Sequence, residues 1–118
     1  MDISPQLNIA EALKIATTHH QAGRLAQAEQ IYRQVLSQQP QQVEALNLLG
    51  VIACQYGRLD EGIALYRKAL ALQPGFTLAR ENLCLALAKR GKQLTDEAIA
   101  TYTQIVTFEP QNIPAYEN

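Results

Sequence analysis

The side chains in this sequence best suited to metal binding or nucleophilic catalysis are two histidines, His19 and His20, and two cysteines, Cys54 and Cys84. Neighbouring residues of a helix point about 100° apart, so the two histidines cannot share one metal ion, for which a spacing of four residues is needed. The cysteines form neither a disulfide framework nor a CxxC metal pair, and no base and orienting group is placed beside either thiol. The sequence therefore predicts a protein that is not an enzyme, has no metal site and needs no cofactor.

The charged residues of the chain are evenly balanced. Ten lysines and arginines stand against eleven acidic residues, which gives a net charge of -1. A nucleic-acid-binding surface needs clustered positive charge to displace counterions from phosphates. The cluster Lys89, Arg90 and Lys92 falls in the last turn of a predicted helix, where the helix dipole favours positive charge. We therefore expect no nucleic-acid partner.

The composition is that of one small globular domain, with 118 residues of which 47% are hydrophobic. No apolar run approaches the roughly 20 residues needed to span a bilayer, and the longest run is Leu83–Ala88. The first residues lack a basic stretch followed by an apolar one, as a signal peptide would have. We expect a cytoplasmic protein without membrane insertion.

An internal repeat is the strongest pattern in the sequence. Four kinds of position recur at intervals of 34 and then 34 or 36 residues: Gly23, Gly57 and Gly91; Pro40, Pro74 and Pro110; Tyr32, Tyr66 and Tyr102; and Ala28, Gly62 and Ala98. The two-residue excess lies between Gly91 and Ala98. The spacing predicts a single domain, 1–118, with an N-terminal extension (1–8), three repeats (9–42, 43–76 and 77–112) and the start of a truncated fourth (113–118).

Each repeat has the pattern of two helices. In the second repeat, apolar residues recur every three or four positions on either side of Gly57, and Pro74 then blocks further helix. Asn8 with Glu11 resembles a capping box, while Ser4-Pro5 offers an earlier start for the first helix. The periodicity predicts helices over 9–22, 25–38, 42–56, 59–72, 76–90 and 95–109. No segment alternates with a period of two, so we expect no sheet.

Helix pairs repeated about every 34 residues resemble the tetratricopeptide repeat (TPR). The closest stretch begins with Leu46 and the Leu49-Gly50 pair, continues through Gly57 and Tyr66, and ends at Pro74. Departures include Arg80 in the column that usually holds tryptophan, and Gly62 in the alanine column of the second helix. The resemblance implies an all-α fold, a right-handed superhelical stack of antiparallel helix pairs.

In that family the first helix of each pair lines a concave groove. By resemblance, the groove residues would be Leu13, Thr17, His20, Gln21, Asn47, Val51, Gln55, Leu78, Glu81, Asn82 and Lys89. The Lys/Arg/Asn clamp with which some TPR domains grip chaperone carboxylates is missing from this set. Asn82 and Asn118, with Asn47 one residue out of register, are similar to the asparagine ladder of the TPR arms of O-linked N-acetylglucosaminyltransferase-like proteins, in which amides hydrogen-bond a peptide backbone.

TPR arrays usually end with a capping helix that has a polar outer face. This sequence stops six residues into a new first helix, so we expect an apolar patch to be only partly covered. The patch comprises Ile99, Tyr102, Ile105 and Val106. Two explanations compete: the chain is part of a longer array, or the open end associates with another copy, end to end or by exchange of helices.

The resemblance implies a protein-interaction module that binds an extended peptide or a partner helix in its groove, with no catalysis of its own. Two alternatives stay open: a substrate-presenting arm of a larger enzyme such as a glycosyltransferase, or a self-assembling scaffold. The partner would be a protein or peptide, and a homo-oligomer through the uncapped C-terminal end is the other expected association.

Overall fold

The structure is a computed structural model that describes residues 8–108, except for the side chains of residue 98 and of most residues after 100. Over this range the chain forms five α-helices and no strand. They are α1 (Ile9–Gln21), α2 (Leu25–Gln38), α3 (Val43–Gln55), α4 (Leu59–Leu72) and α5 (Thr77–Phe108). The all-α expectation is confirmed, and the first four helices match their predicted bounds to within one residue.

The helix ends follow from local chemistry. Asn8 caps α1 by accepting a hydrogen bond from the Glu11 amide at 3.1 Å, so the capping-box start is the one observed. Gly23 and Gly57 follow α1 and α3 with φ of 84° and 83°. The amides of these glycines and of the residues after them bond back to carbonyls of the last helical turn, which is the Schellman arrangement. Helices α1 and α3 therefore each end beside a glycine that adopts the left-handed conformation.

The chain divides into two compact units, one that extends to Ala86 and one that starts at Leu87. In the first unit, α1 packs against α2, α3 packs against α4, and α2 contacts α3. Equivalent positions of the two hairpins are buried alike, since Tyr32 and Tyr66 are both in the core. The main core cluster joins three helices and comprises Ala12, Leu13, Ala16, Ala28, Tyr32, Val35, Ala45, Leu49 and Ile52.

Two glycines let α3 and α4 approach closely. A Cβ placed on Gly50 would lie 2.6 Å from Cε1 of Tyr66, and one placed on Gly62 would collide with Sγ of Cys54. Gly62 replaces the alanine expected in this column, and the Cys54 thiol occupies the space that an alanine methyl would need. The glycine is therefore matched to a side chain on the facing helix.

Four charged residues connect the two hairpins on the side of α2 and α4. Glu29 accepts hydrogen bonds from Arg33 at 2.8 Å and from Arg58 at 3.1 Å, and Arg33 also donates to Glu61 at 2.8 Å. The bond from Arg33 lowers the pKa of Glu29, and Arg58 acts in the same direction against the opposing effect of burial. These contacts add an electrostatic link between successive repeats to the apolar core.

The predicted separation of the third repeat into helices at 76–90 and 95–109 is wrong. Helix α5 runs without a break from Thr77 to Phe108, and Gly91 lies inside it rather than at a turn. A glycine within a helix costs only about 0.5–1 kcal/mol relative to alanine, and the neighbouring Lys, Arg, Gln and Leu residues are good helix formers. Lys92 and Asp96 also form an ion pair at 3.2 Å, four residues apart along the same helix. Local helix preference therefore outweighs the repeat period at this point.

Candidate functional site

A cavity of about 710 Å³ lies between α1 and the start of α3, and it is hereafter called the α1 cavity. Three residues predicted to line a groove, Leu13, Thr17 and Gln21, are among its walls. The remaining lining residues are Ile9, Ala10, Lys14, Thr18, Gln42 and Glu44. These walls combine apolar surface, hydroxyls and amides with one charge of each sign.

Two other predicted groove residues contact each other near the C-terminal end of α1. His20 Nε2 and Gln55 Oε1 lie 2.7 Å apart and join the last turn of α1 to the end of α3. The His20 ring also meets the edge of Tyr32 at a centroid distance of 6.4 Å. His20 and Gln55 were both expected to lie in the groove, and the structure pairs them with each other.

Asn47 was expected to present its amide to a bound peptide, and the structure corrects this expectation. Its side chain is only 3% exposed, and its Oδ1 accepts a hydrogen bond from Asn82 Nδ2 at 3.0 Å. The amide is buried because α5 packs over α3 at this position and supplies the partner that a buried polar group requires. Leu13, at the equivalent position of α1, is buried as well.

Both polar pairs join residues that are 35 positions apart, which is one repeat plus one residue. The same offset relates Leu13 to Leu48, which packs against the core cluster containing Leu13. A first helix thus contacts the next first helix through residues at this offset. At this offset the sequence matches Asn47 with Asn82 and Leu13 with Leu48.

The other predicted groove residues differ in their surroundings. Val51 is half-buried on α3, while Leu78 and Glu81 are exposed on the part of α5 that belongs to the first unit. Lys89 is exposed and belongs to the second unit. The expected self-association patch is described only at Ile99, which is 59% exposed. The side chains of Tyr102, Ile105 and Val106 lie outside the described residues.

The thiols have contrasting surroundings. Cys54 is half-buried, and its Sγ accepts a hydrogen bond from the Tyr66 hydroxyl at 3.8 Å. Burial of the ring is the main cause that raises the pKa of Tyr66, and the contact with the Cys54 thiol raises it further. Cys84, in contrast, is exposed. In the part of the chain that the structure describes, no three His, Cys, Asp or Glu residues are grouped so that they could hold a metal ion.

Within the described range no helix combines the length and apolar character that crossing a membrane requires.

Comparison with known proteins agrees with the helix-pair architecture. The tetratricopeptide repeat family model matches residues 13–75 and again 57–113. The structure also resembles two crystal structures of MamA, with TM-scores of 0.67 and 0.65 at 21% sequence identity, over 93% and 91% of this chain and 61% and 59% of those chains. These likenesses support an all-α fold of the TPR type.

Curated relatives carry the same repeat. Tetratricopeptide repeat protein 14 of Mus musculus is 33% identical over 74% of this chain and 11% of its own length. The peroxisomal targeting signal receptor of Kluyveromyces lactis is 27% identical over 93% of this chain and 19% of its own length. The chain thus spans less than a quarter of either relative. With the family model covering most of its length, the chain belongs to the tetratricopeptide repeat family.

Proposed function

We propose that this chain is a protein-interaction module without chemistry of its own, and that it binds an extended peptide in the α1 cavity. The observation that carries the proposal is the cavity itself, about 710 Å³ in volume and lined by a face of α1. TPR domains in general mediate contacts between proteins. The cavity is a concave surface of the kind that such a role requires.

The walls of the α1 cavity suit a peptide rather than a highly charged ligand. Ile9 and Leu13 offer apolar contacts for one side chain of a peptide, and Gln21 offers an amide that can both donate and accept a hydrogen bond. Lys14 and Glu44 place opposite charges on the walls, so no net charge is available to select a phosphate or a carboxylate alone. We infer a partner segment that contains an apolar residue between polar ones.

The relative from Kluyveromyces lactis supports a peptide ligand, since its name describes a receptor for a targeting signal. Our proposal for this chain goes no further than an extended segment of a protein. Polar hydrogen bonding to a peptide backbone would come from Gln21, because the Asn47 amide is already engaged by Asn82 and the Thr17 hydroxyl already contacts the Tyr32 hydroxyl at 3.5 Å.

The experiment is selection of peptides from a random display library on the immobilised 118-residue chain, followed by calorimetric titration of the selected peptides. The Ala10→Arg variant fills the cavity with a bulky side chain at an exposed helical position. The matched control is Ala26→Arg, also exposed and helical but on α2 and not among the residues that line the cavity.

We expect Ala10→Arg to weaken peptide binding by at least about tenfold, because a displaced apolar contact is worth roughly 1.5–3 kcal/mol. Ala26→Arg should bind as the wild type does. Equal affinities of both variants for every selected peptide would refute the α1 cavity as the binding site.

A further inference from the structure

A second cavity, of about 290 Å³, lies between α2 and α4 and is hereafter called the α2–α4 pocket. It shares no lining residue with the α1 cavity. Its floor is apolar, because Leu46 and Leu49 of α3 are 1% and 2% exposed. The remaining lining residues are Arg33, Leu36, Ser37, Pro40, Leu65 and Lys68. The pocket is therefore a separate concave surface, formed where the two second helices meet over α3.

The walls of the α2–α4 pocket suit one apolar side chain of a partner. Leu36 of α2 and Leu65 of α4 are half-buried and pack against the same buried cluster as Leu46. Part of each leucine is therefore left for contact with another molecule. Small-molecule sites usually measure about 300–1,000 Å³ and enclose most of the ligand. A pocket just below this range, with exposed residues at its rim, fits one side chain of a larger partner better than a whole small molecule.

The lining of the α2–α4 pocket is positively charged. Arg33 and Lys68 are cations, and none of the lining residues is acidic. Arg33 is already neutralised, since it donates to Glu29 and to Glu61 at 2.8 Å each. Lys68 is exposed and makes no ion pair with any other residue that the structure describes. Its ammonium group is thus available to a carboxylate that a partner brings.

The positions of the cation and of the apolar wall fix the spacing of the groups that they would recognise. Leu65 and Lys68 lie three positions apart on α4, so their side chains emerge on the same face of the helix. A carboxylate paired with Lys68 therefore lies within about two residues of an apolar side chain seated against Leu65. At the Arg33 end, the carboxylates of Glu29 and Glu61 repel another anion, which directs the acidic group to Lys68.

We propose that the α2–α4 pocket is a second protein-binding site, which takes a segment of another protein that carries an apolar residue and a carboxylate within two positions of each other. The apolar side chain lies on the floor formed by Leu46 and Leu49, and the carboxylate pairs with Lys68. The site is independent of the peptide proposed for the α1 cavity, whose walls carry one charge of each sign. Two unlike sites let one module hold two different segments at the same time.

The first experiment selects peptides from a random nine-residue display library on the Ala10→Arg variant, in which the α1 cavity is filled. Relative to the unselected library, the selected peptides should be enriched in an acidic residue within two positions of an apolar one. The result does not depend on whether the α1 cavity binds peptides, so the two proposals can fail separately. Selection of no peptide, or of peptides without the acidic residue, would overturn the proposal.

Substitutions at the rim then locate the binding site of the selected peptides. Ser37→Phe, again in the Ala10→Arg background, fills the pocket from its rim. The matched control is Gln38→Phe, which is exposed on the same helix but not among the lining residues. Calorimetric titration should show that Ser37→Phe lowers the affinity at least about tenfold and that Gln38→Phe leaves it unchanged. Equal affinities of the two variants would place the peptides elsewhere and refute the pocket.

A charge substitution tests the ammonium group. Lys68→Gln should weaken binding by about threefold to fivefold at low salt, which is the size of an exposed ion pair, and by less at high salt. The matched control is Arg67→Gln, which makes the same change in net charge at an exposed position of α4 that does not line the pocket. If both substitutions weaken binding equally, Lys68 is not the partner of the carboxylate.

Two other occupants of the pocket are tested directly. Dodecanoate combines a carboxylate with a hydrocarbon chain, and sedimentation equilibrium detects a second copy of this chain. Binding of dodecanoate when no peptide is selected would assign the pocket to a lipid. A mass above 13.1 kDa that falls to 13.1 kDa in the Ser37→Phe variant would assign it to self-association. Either result would overturn the proposal.

Discussion

Asn82 donates a hydrogen bond from Nδ2 to Oδ1 of the buried Asn47, 35 residues earlier, and thereby joins α5 to α3. Leu13 and Leu48 occupy the equivalent positions one repeat before, where both contribute to apolar packing. The same offset of 35 residues thus relates two hydrogen-bonded amides in one place and two leucines of the apolar core in the other.

Removing one amide should cost more than removing both. Asn82→Ala leaves the Oδ1 of Asn47 buried without this donor, and an unsatisfied buried group costs about 1–3 kcal/mol. The double variant Asn47→Leu with Asn82→Leu copies the Leu13–Leu48 pair and should be markedly more stable than the single variant. Urea unfolding measures the stability of both variants. If the double variant is no more stable than Asn82→Ala, a leucine pair cannot replace the Asn47–Asn82 pair, and the two places are not equivalent.

The packing of Gly62 against Cys54 predicts a coupled pair of substitutions. Gly62→Ala alone should destabilise the chain by about 1–3 kcal/mol through overpacking, despite the better helix propensity of alanine. In a Cys54→Ala background the same substitution should cost much less, because the colliding sulfur is gone. A double-mutant cycle by urea unfolding gives the coupling energy. Additive effects would show that the thiol is not the obstacle. Gly75→Ala, where a Cβ meets open space, is the control.

Glycine substitutions report on the continuity of α5. Gly23→Ala and Gly57→Ala force alanine into the left-handed region and should each lower stability by about 1–2 kcal/mol. Position 91 lies inside a helix, and the Cβ added by Gly91→Ala would meet open space. This substitution should therefore raise the free energy of unfolding by about 0.5–1 kcal/mol. Thermal unfolding followed by circular dichroism compares the three variants. If Gly91→Ala destabilises the chain as Gly57→Ala does, then Gly91 forms a turn in solution.

The lowered pKa of Glu29 predicts a loss of stability in acid. A carboxyl group whose folded-state pKa lies below its unfolded-state value contributes fully above that value, and its contribution disappears as the pH falls through the folded-state pKa. Because the ordinary value is 4.5 and hydrogen bonds from Arg33 and Arg58 lower it, stability should decline below about pH 4.5. The Glu29→Gln variant should be less stable at pH 7 and should decline less in acid.

The matched control for Glu29 is Glu81→Gln, which alters an exposed carboxylate on α5. Urea midpoints measured between pH 3 and pH 7 should show the wild-type decline for this variant. If the urea midpoints of Glu29→Gln and of the wild type fall in parallel as the pH is lowered, then the hydrogen bonds of Glu29 are not the cause of the pH dependence.

The first four helices could be predicted from the sequence because three local signals agree. Apolar residues recur at helical spacing, glycines supply the left-handed ends, and the prolines Pro40 and Pro74 separate the pairs. At Gly91 only the repeat period indicated a turn. A glycine with helix-forming neighbours does not by itself stop a helix, so the prediction failed where local propensity and periodicity disagreed.

The candidate site could be predicted in part. Thr17 and Gln21, which the helical face of α1 placed in a groove, line the α1 cavity. The same reasoning misjudged Asn47, because the direction of a side chain on its own helix does not reveal what the next repeat places above it. The burial of Asn47 depends on the one-residue stagger between successive first helices, which is a tertiary property.

The residues at the staggered positions of successive first helices differ in chemistry, with Leu13 and Leu48 in one place and Asn47 and Asn82 in the other. This difference favours the native order of the hairpins. In an artificial chain with the first and second hairpins exchanged, Leu13 would take the place of Asn47 opposite Asn82. The Asn82 amide would then lose its hydrogen-bond partner. The two hairpins are therefore not interchangeable, because the residue at the staggered position of each first helix suits the first helix that follows it in the native order.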